Sequence, residues 1–478
     1  MQNPYTWADW NAVLPLFVVA GTAVVILFVD LLMRKANGWI SIVVGIAGLI
    51  AAGVIAGQSY YGDGRLGHNA FDGGFVLGGF AIVLQEIIVF SAIVSLALFH
   101  AARRPERMGG VVALVLWATS GAMLMAGAAN LMTVFLGLEL LSLALYCLCA
   151  LAERPVSRES GLKYLILSST ATGFLLFGMA MLFGASGSVT IASLADPALS
   201  ANPLYWFGGG LFLIGLAFKL SLVPFHVWSP DVYEGAPLPI TAYMSVVTKA
   251  GALAVFARFA YAIPGASAHA LLMPFFVIAG ISMIAGNLGM LAQTDMKRLL
   301  AYSGIAQIGY IVAALAGNTA LGVRYAIYYL VAYMFMNLGA FAVVALCSPE
   351  GADEGSRIQS FHGLAQRRPV LAAAMTFFLL ALAGFPPTAG FLGKILILST
   401  NVNAGFPWLA ALLIAGTAIS LYAYFKVIRL MYDRHAQAKE TGTAPLPLAY
   451  VSMAICVALV VVMTFYPFTP SNVLPLAK

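Results

Sequence analysis

The chain has 478 residues, 62% of them hydrophobic and only 9% charged, with a formal net charge of +6. A soluble domain carries about 25% charged residues, so the composition excludes a soluble enzyme. The basic residues fall at the ends of apolar runs, which also argues against nucleic acid as a partner.

The apolar runs reach the roughly 20 residues that a membrane-crossing helix needs. They lack the short alternating segments of a membrane barrel. The expected fold is therefore all-α, a polytopic membrane bundle of about 14 transmembrane helices. The first run, 11–33, follows Asp9 and no basic segment, unlike a cleaved signal peptide. Runs at 38–57 and 74–100 predict two more spans. Gln85 and Glu86 lie near the middle of the third, where Glu86 suits either a structural hydrogen bond or a proton route.

Spans follow at 109–128 and 130–152, almost without a loop between them at Ala128–Asn130, and at 160–184. Glu139 lies inside the fifth. The seventh span, 203–222, contains Lys219 and continues past a break at Pro224, beside His226. Spans at 238–262, 270–291, 299–317 and 321–347 come next, the first of them with Lys249 near its middle. The twelfth, 370–400, contains Lys394 and is broken at Pro386 and Pro387; 406–432 and 446–466 complete the set.

A charge at the bilayer centre costs about 2.5–3.5 kcal/mol even on the mildest scale, and intramembrane ionisable residues mark ion or proton routes. A desolvated lysine can hold or release a proton near neutral pH. Arginine cannot. Glu139 is expected to act on Lys219 through its charge. At about 7 Å and an effective dielectric of 20 the interaction is roughly 2.4 kcal/mol, close to the cost of moving one charge through 100 mV, about 2.3 kcal/mol.

Proline has no N–H, so Pro224 frees the carbonyl of Leu220, and Pro386 and Pro387 free those of Leu382 and Ala383. Bare carbonyls in a membrane are tolerated where they face protein or water. The two broken spans are five helices apart, an odd offset that inverts one unit relative to the other. Discontinuous helices in corresponding places of inverted repeats point to a transport site near the midplane. The chain divides accordingly into helices 1–3 in 1–108, a first five-helix repeat in 109–262, a second, inverted repeat in 263–432, and helix 14 in 433–478.

Loop charges give the orientation. Arg34, Lys35, Arg103, Arg104, Arg107, Arg154, Arg158, Lys163, Lys297, Arg298, Arg357, Arg367, Arg368, Arg434 and Lys439 fall on one side, against Arg65 and Lys478 on the other, with Arg324 at a helix mouth. By the positive-inside rule the first side is cytoplasmic, or the matrix or stroma of an organelle, and both termini are periplasmic. Asp30 is expected to pair with Arg34, and Lys426 and Arg429 to snorkel to a helix end. His226 is open between a proton carrier and a hydrogen-bond fixer. Arg258 has no assigned role. Cys147, Cys149, Cys347 and Cys456 form no CxxC pair, so neither a metal site nor a cofactor is expected in this chain.

Five strings carry a resemblance. They are Gly137-Leu-Glu-Leu-Leu-Ser-Leu143, the stretch from Phe218 to Pro237, Thr248-Lys-Ala250, Lys297-Arg-Leu-Leu-Ala-Tyr-Ser303 and Gly384-Phe-Pro-Pro-Thr-Ala-Gly-Phe-Leu-Gly-Lys394. Together they resemble the antiporter-like, proton-translocating membrane subunits of respiratory complex I, the NADH:quinone oxidoreductase. The Leu-Leu-Ser-Leu after Glu139, the lysine at 394 and the lack of a lateral extension are similar to the N branch. The resemblance implies that Glu139 is the pair partner, Lys219 the central proton site, Lys249 the connecting residue and Lys394 the site toward the far-side exit. It implies partners in neighbouring antiporter-like subunits, lipid, protons and water, with NADH, flavin, iron–sulfur clusters and quinone held elsewhere in the complex. The same strings resemble subunits of multi-subunit cation/proton antiporters, the alternative not driven by redox chemistry. One departure stands out: Gln307 occupies a position where family members often carry histidine, and it can order water but not carry a proton as histidine does.

Overall fold

The computed structural model describes residues 5–32, 38–61, 67–99, 105–152, 154–263, 265–348, 356–434 and 447–467. Its helices run α1 (Trp7–Leu32), α2 (Gly38–Tyr61), α3 (Gly79–Ala97), α4 (Pro105–Gly127), α5 (Leu131–Cys149), α6 (Pro155–Ser186), α7 (Pro203–Leu220), α8 (Trp228–Gly235) and α9 (Leu238–Ala262). They continue with α10 (Gly265–Leu291), α11 (Met296–Ala313), α12 (Ala320–Cys347), α13 (Leu364–Arg367), α14 (Pro369–Ala383), α15 (Ala389–Asn403), α16 (Pro407–Met431) and α17 (Pro447–Phe465). Twelve are long and apolar enough to cross a membrane. The protein is a multi-pass membrane protein. Adding α11 and the split pair α14–α15 gives the fourteen expected spans. α11 falls outside the twelve because Lys297, Arg298 and Gln307 lower its mean hydropathy; nearly all of it is buried, so it needs no lipid-compatible surface.

The third span differs from expectation at its start. Residues 75–77 form not helix but strand β2 (Phe75–Leu77), paired antiparallel with β1 (His68–Ala70), Asn69 opposite Val76. Phe71, Asp72 and Gly73 all take left-handed φ in the turn between them. This hairpin organises one rim. Phe75 bridges Ala128, and Asn130 bridges Thr190, so the α2–α3, α4–α5 and α6–α7 connections meet there. His68 Nε2 lies 2.9 Å from the Asp9 carboxylate, which brings the start of α1 to the same rim. The short α4–α5 turn holds because Asn130 caps α5, accepting from the Thr133 N–H at 2.7 Å. At the opposite rim Asp295 bridges Arg357, and His362 lies 2.9 Å from Asp433. Alternate connections thus fall at opposite rims, as successive membrane spans require. Arg34, Lys35, Arg65, Arg103, Arg104, Lys439 and Lys478 lie outside the described residues, so the Asp30–Arg34 pairing does too.

Glycine sets the closest helix crossings. A Cβ on Gly137 of α5 would come within 2.8 Å of the Gly121 carbonyl of α4, and one on Gly286 of α10 within 2.7 Å of the Ala306 N–H of α11. Close backbone approach of this kind is how membrane helices gain packing without a hydrophobic driving force. α9 and α12 run through the centre and are buried almost throughout. Both carry polar side chains that lipid would not tolerate.

A line of buried lysines as the candidate functional site

Both breaks lie beside buried lysines, but glycine and serine, not proline, set the helix ends. α7 stops at Ser221 (φ 58) and α14 at Gly384 (φ 80), both left-handed. Pro224, Pro386 and Pro387 follow, exposed at the outside of each turn. The freed carbonyls nevertheless find the expected polar surroundings at the second break. Lys394, 4% exposed, donates to the carbonyls of Ala383 at 2.9 Å and Leu382 at 3.3 Å. Gln307 Nε2 donates to the same Leu382 carbonyl at 2.9 Å. At the first break the indole of Trp228 donates to the Phe218 carbonyl at 2.8 Å.

Lys219 is in the last turn of α7 and donates to Tyr164 Oη and Ser168 Oγ of α6, both at 3.2 Å. Lys249, midway along α9, donates to the Tyr233 hydroxyl of α8 and lies 5.2 Å above the Trp228 ring. Lys394 lies 4.9 Å above the Tyr310 ring. Hydroxyls, carbonyls and aromatic faces thus surround all three ammonium groups, and none pairs with a carboxylate among the described residues. Such a lysine can release its proton without breaking a salt bridge. Glu139 does not touch Lys219. It is half-buried on the outer face of α5, beside exposed Leu136, Leu140 and Leu143. On the same helix Tyr146 sets its ring edge-on to Tyr164 at 5.1 Å, between Glu139 and the lysine's partner.

Polar side chains join Lys249 to Lys394. Ser245, one turn before Lys249, accepts from Asn337 Nδ2 at 2.6 Å, and its carbonyl accepts from Tyr333 at 3.3 Å. Tyr329, one turn before Tyr333, donates to Gln307 Oε1 at 2.5 Å. Gln307 then reaches the Leu382 carbonyl that also takes Lys394. Gln307 therefore ties α12 to the second break with no titrating ring, while the step from α9 to α12 is made at Ser245.

Other candidates lie apart. His226 is half-buried in the first break with its Nδ1 unpartnered, and its ring is 6.4 Å from that of Tyr302, so it does not join the lysines. The Glu86 carboxylate lies against Gly53 and Gly57 of α2, away from the line, with Oε1 unpartnered. Arg258 is buried over the Phe80 ring and donates to the Ala126 carbonyl at 3.2 Å. Lys426 caps α10 through the Leu291 carbonyl at 3.2 Å, which is snorkelling to a helix end.

Tyr164, Ser168, Trp228, Tyr233, Ser245, Tyr310 and the α12 residues were not singled out from sequence. One signal was present: Tyr329, Tyr333 and Asn337 recur every fourth residue along α12, which places them on one face.

Broken helices with lysines in and beside the gaps, and buried hydroxyls and amides among them, define a membrane subunit of the kind that moves small cations. A family described as NADH:quinone oxidoreductase/Mrp antiporter, transmembrane, matches residues 128–420. The chain is 38% identical to the NADH-quinone oxidoreductase subunit N 1 of Symbiobacterium thermophilum over 97% of each chain. A chain of respiratory complex I from Thermus thermophilus superposes with a TM-score of 0.82 at 30% identity, over 95% of this chain and 97% of that one. A chain of the Mrp complex from Dietzia sp. DQ12-45-1b shares the fold, with a TM-score of 0.82 at 20% identity over 98% and 97%. The protein belongs to the NADH:quinone oxidoreductase/Mrp antiporter membrane family.

Proposed function

We propose that the chain is a proton-translocating membrane subunit of a redox-driven NADH:quinone oxidoreductase. It moves protons along Glu139, Lys219, Lys249 and Lys394 with water between them. The observation that carries this reading is the series of buried polar side chains, Ser245, Asn337, Tyr333, Tyr329 and Gln307, between Lys249 of the central α9 and Lys394 beside the second break. A static scaffold has no need of one. The redox reading is favoured over a cation/proton antiporter by likeness to the relative from Symbiobacterium thermophilum, which is closer in sequence than the Mrp chain.

In this reading Glu139 modulates Lys219 through space. Lys249 passes protons into the second half, and Lys394 releases them toward the rim that carries the hairpin. Residues 109–262 and 263–432 act as two inverted half-channels. The half-exposed carboxylate of Glu139 on an apolar face favours cover by a neighbouring antiporter-like subunit, since a charge facing lipid is costly. NADH, flavin, iron–sulfur clusters and quinone belong to other subunits. The arginine-rich rim faces the cytoplasm, and both termini are periplasmic.

Purification in mild detergent tests the assignment. Flavin- and iron–sulfur-containing subunits should co-purify with this chain. A stable complex without redox centres would establish the antiporter reading instead.

A further inference from the structure

α8 touches both sides of the first proton step from within and is gripped from without. Its first residue, Trp228, is 1% exposed and stacks at 4.7 Å on Tyr164, the ring whose hydroxyl accepts from Lys219. The same indole lies beneath Lys249, and Tyr233 accepts the Lys249 hydrogen bond. α8 thus supplies the aromatic wall between the two ammonium groups. Its outer face carries Asp231 and Glu234. Arg298 Nη1, from the first turn of α11, donates to Asp231 at 2.7 Å and Glu234 at 2.8 Å, while its Nε donates to Gln293 at 3.0 Å. Lys163 of α6 adds a bond to Asp231 at 3.2 Å. Lys297, beside Arg298, donates to the Ala236 carbonyl at the end of α8 at 3.0 Å.

An eight-residue helix does not hold its own shape. Where α8 sits is decided by what it packs against and what grips it. The connection from α7, residues 221–227, is a run of turns and not a continuation of the helix. A lone exposed ion pair contributes little. Here one guanidinium joins three groups, two carboxylates through Nη1 and an amide through Nε.

We propose that Arg298 is a positioning residue for proton transfer between Lys219 and Lys249: by holding Asp231 and Glu234 it fixes α8, and with it Trp228 and Tyr233, against both lysines. The proposal rests on the proton-route reading above and extends it. Arg298 comes from the second half of the chain and α8 from the first. The grip therefore also ties the position of the first half-channel to α11, which carries Gln307.

The test uses the intact complex in sealed vesicles, with Arg298→Gln, Arg298→Lys and the acceptor variant Asp231→Asn/Glu234→Gln. NADH-driven proton uptake and deuterium exchange of residues 228–235 are measured together, with Lys249→Ala as reference. Misplacement by about 1 Å is enough to cost up to about a hundredfold, so Arg298→Gln should lower pumping about fivefold or more and raise exchange across α8. Arg298→Lys, which keeps the charge but loses the bond to Gln293, should recover only part of the loss and fall between Arg298→Gln and the unsubstituted complex. The acceptor variant should match Arg298→Gln, and it decides the matter if that variant fails to assemble. Normal pumping with raised exchange overturns the proposal, as does lost pumping with exchange unchanged. If Lys249→Ala itself pumps normally, the proton-route reading falls, whatever Arg298 does.

Discussion

Lys219 reaches its partners through a single ammonium group, and neither Tyr164 nor Ser168 is charged. Lys219→Ala should therefore assemble, because it removes a costly buried charge and leaves no anion behind. It should cut proton pumping at least about tenfold, as loss of a proton-transferring group does. Pumping at the wild-type level in reconstituted vesicles would remove Lys219 from the route. Glu139 is a different case, since it touches no lysine and acts only at a distance. If charge is what matters, Glu139→Asp should keep most coupled activity and Glu139→Gln should lose it; equal damage from both would show that side-chain geometry decides. At Lys394, arginine keeps a positive charge and never gives up its proton at physiological pH. Lys394→Arg should thus pump no better than the neutral Lys394→Met. Robust pumping by the arginine variant would make Lys394 a fixed countercharge.

At the scale of elements, the second break shows what ends a helix here. Spacing assigns that role to Pro386, which lacks the N–H that would bond the Leu382 carbonyl. That carbonyl already accepts from Gln307 and Lys394, and the chain has turned at Gly384 before the prolines begin. Pro386→Ala should therefore change turnover little. Gly384→Ala should do more. It forces a side chain into left-handed φ and sets its Cβ 2.8 Å from Lys394 Cδ, so the lysine must move. Proton pumping of the two assembled variants, side by side, ranks them, and the reverse order would return the break to proline. The breaks themselves were legible from proline and lysine spacing, and the carbonyls of Leu382 and Ala383 were correctly singled out as free. Their acceptance of the Lys394 ammonium was not legible, because it depends on how α15 turns back beside the end of α14.

At the scale of the whole molecule, the two rims carry a test of orientation. Ser200 is exposed on the rim of the hairpin and Gln366 on the arginine-rich rim. With exposed Cys147 replaced by serine, an impermeant thiol reagent added to spheroplasts should label Ser200→Cys and spare Gln366→Cys. The opposite pattern would invert the orientation. The positive-inside rule supports the expected sign, since it follows the basic residues of short loops.

Composition and run length alone determined that this chain is a helical membrane protein with fourteen spans, because a bilayer admits only backbones that satisfy their own hydrogen bonds and fixes the length over which they must do so. The cost of burying charge likewise made Lys219, Lys249 and Lys394 conspicuous before any fold was known. The β-hairpin start of the third span escaped, because three extended residues next to a long apolar run look like more of that run. Only the tertiary structure decided what surrounds each lysine. In sequence, Tyr164, Tyr233 and Tyr310 are indistinguishable from aromatic residues that merely pack in the core. Their hydroxyls and ring faces become partners of the lysines only when helices far apart in the chain are brought side by side.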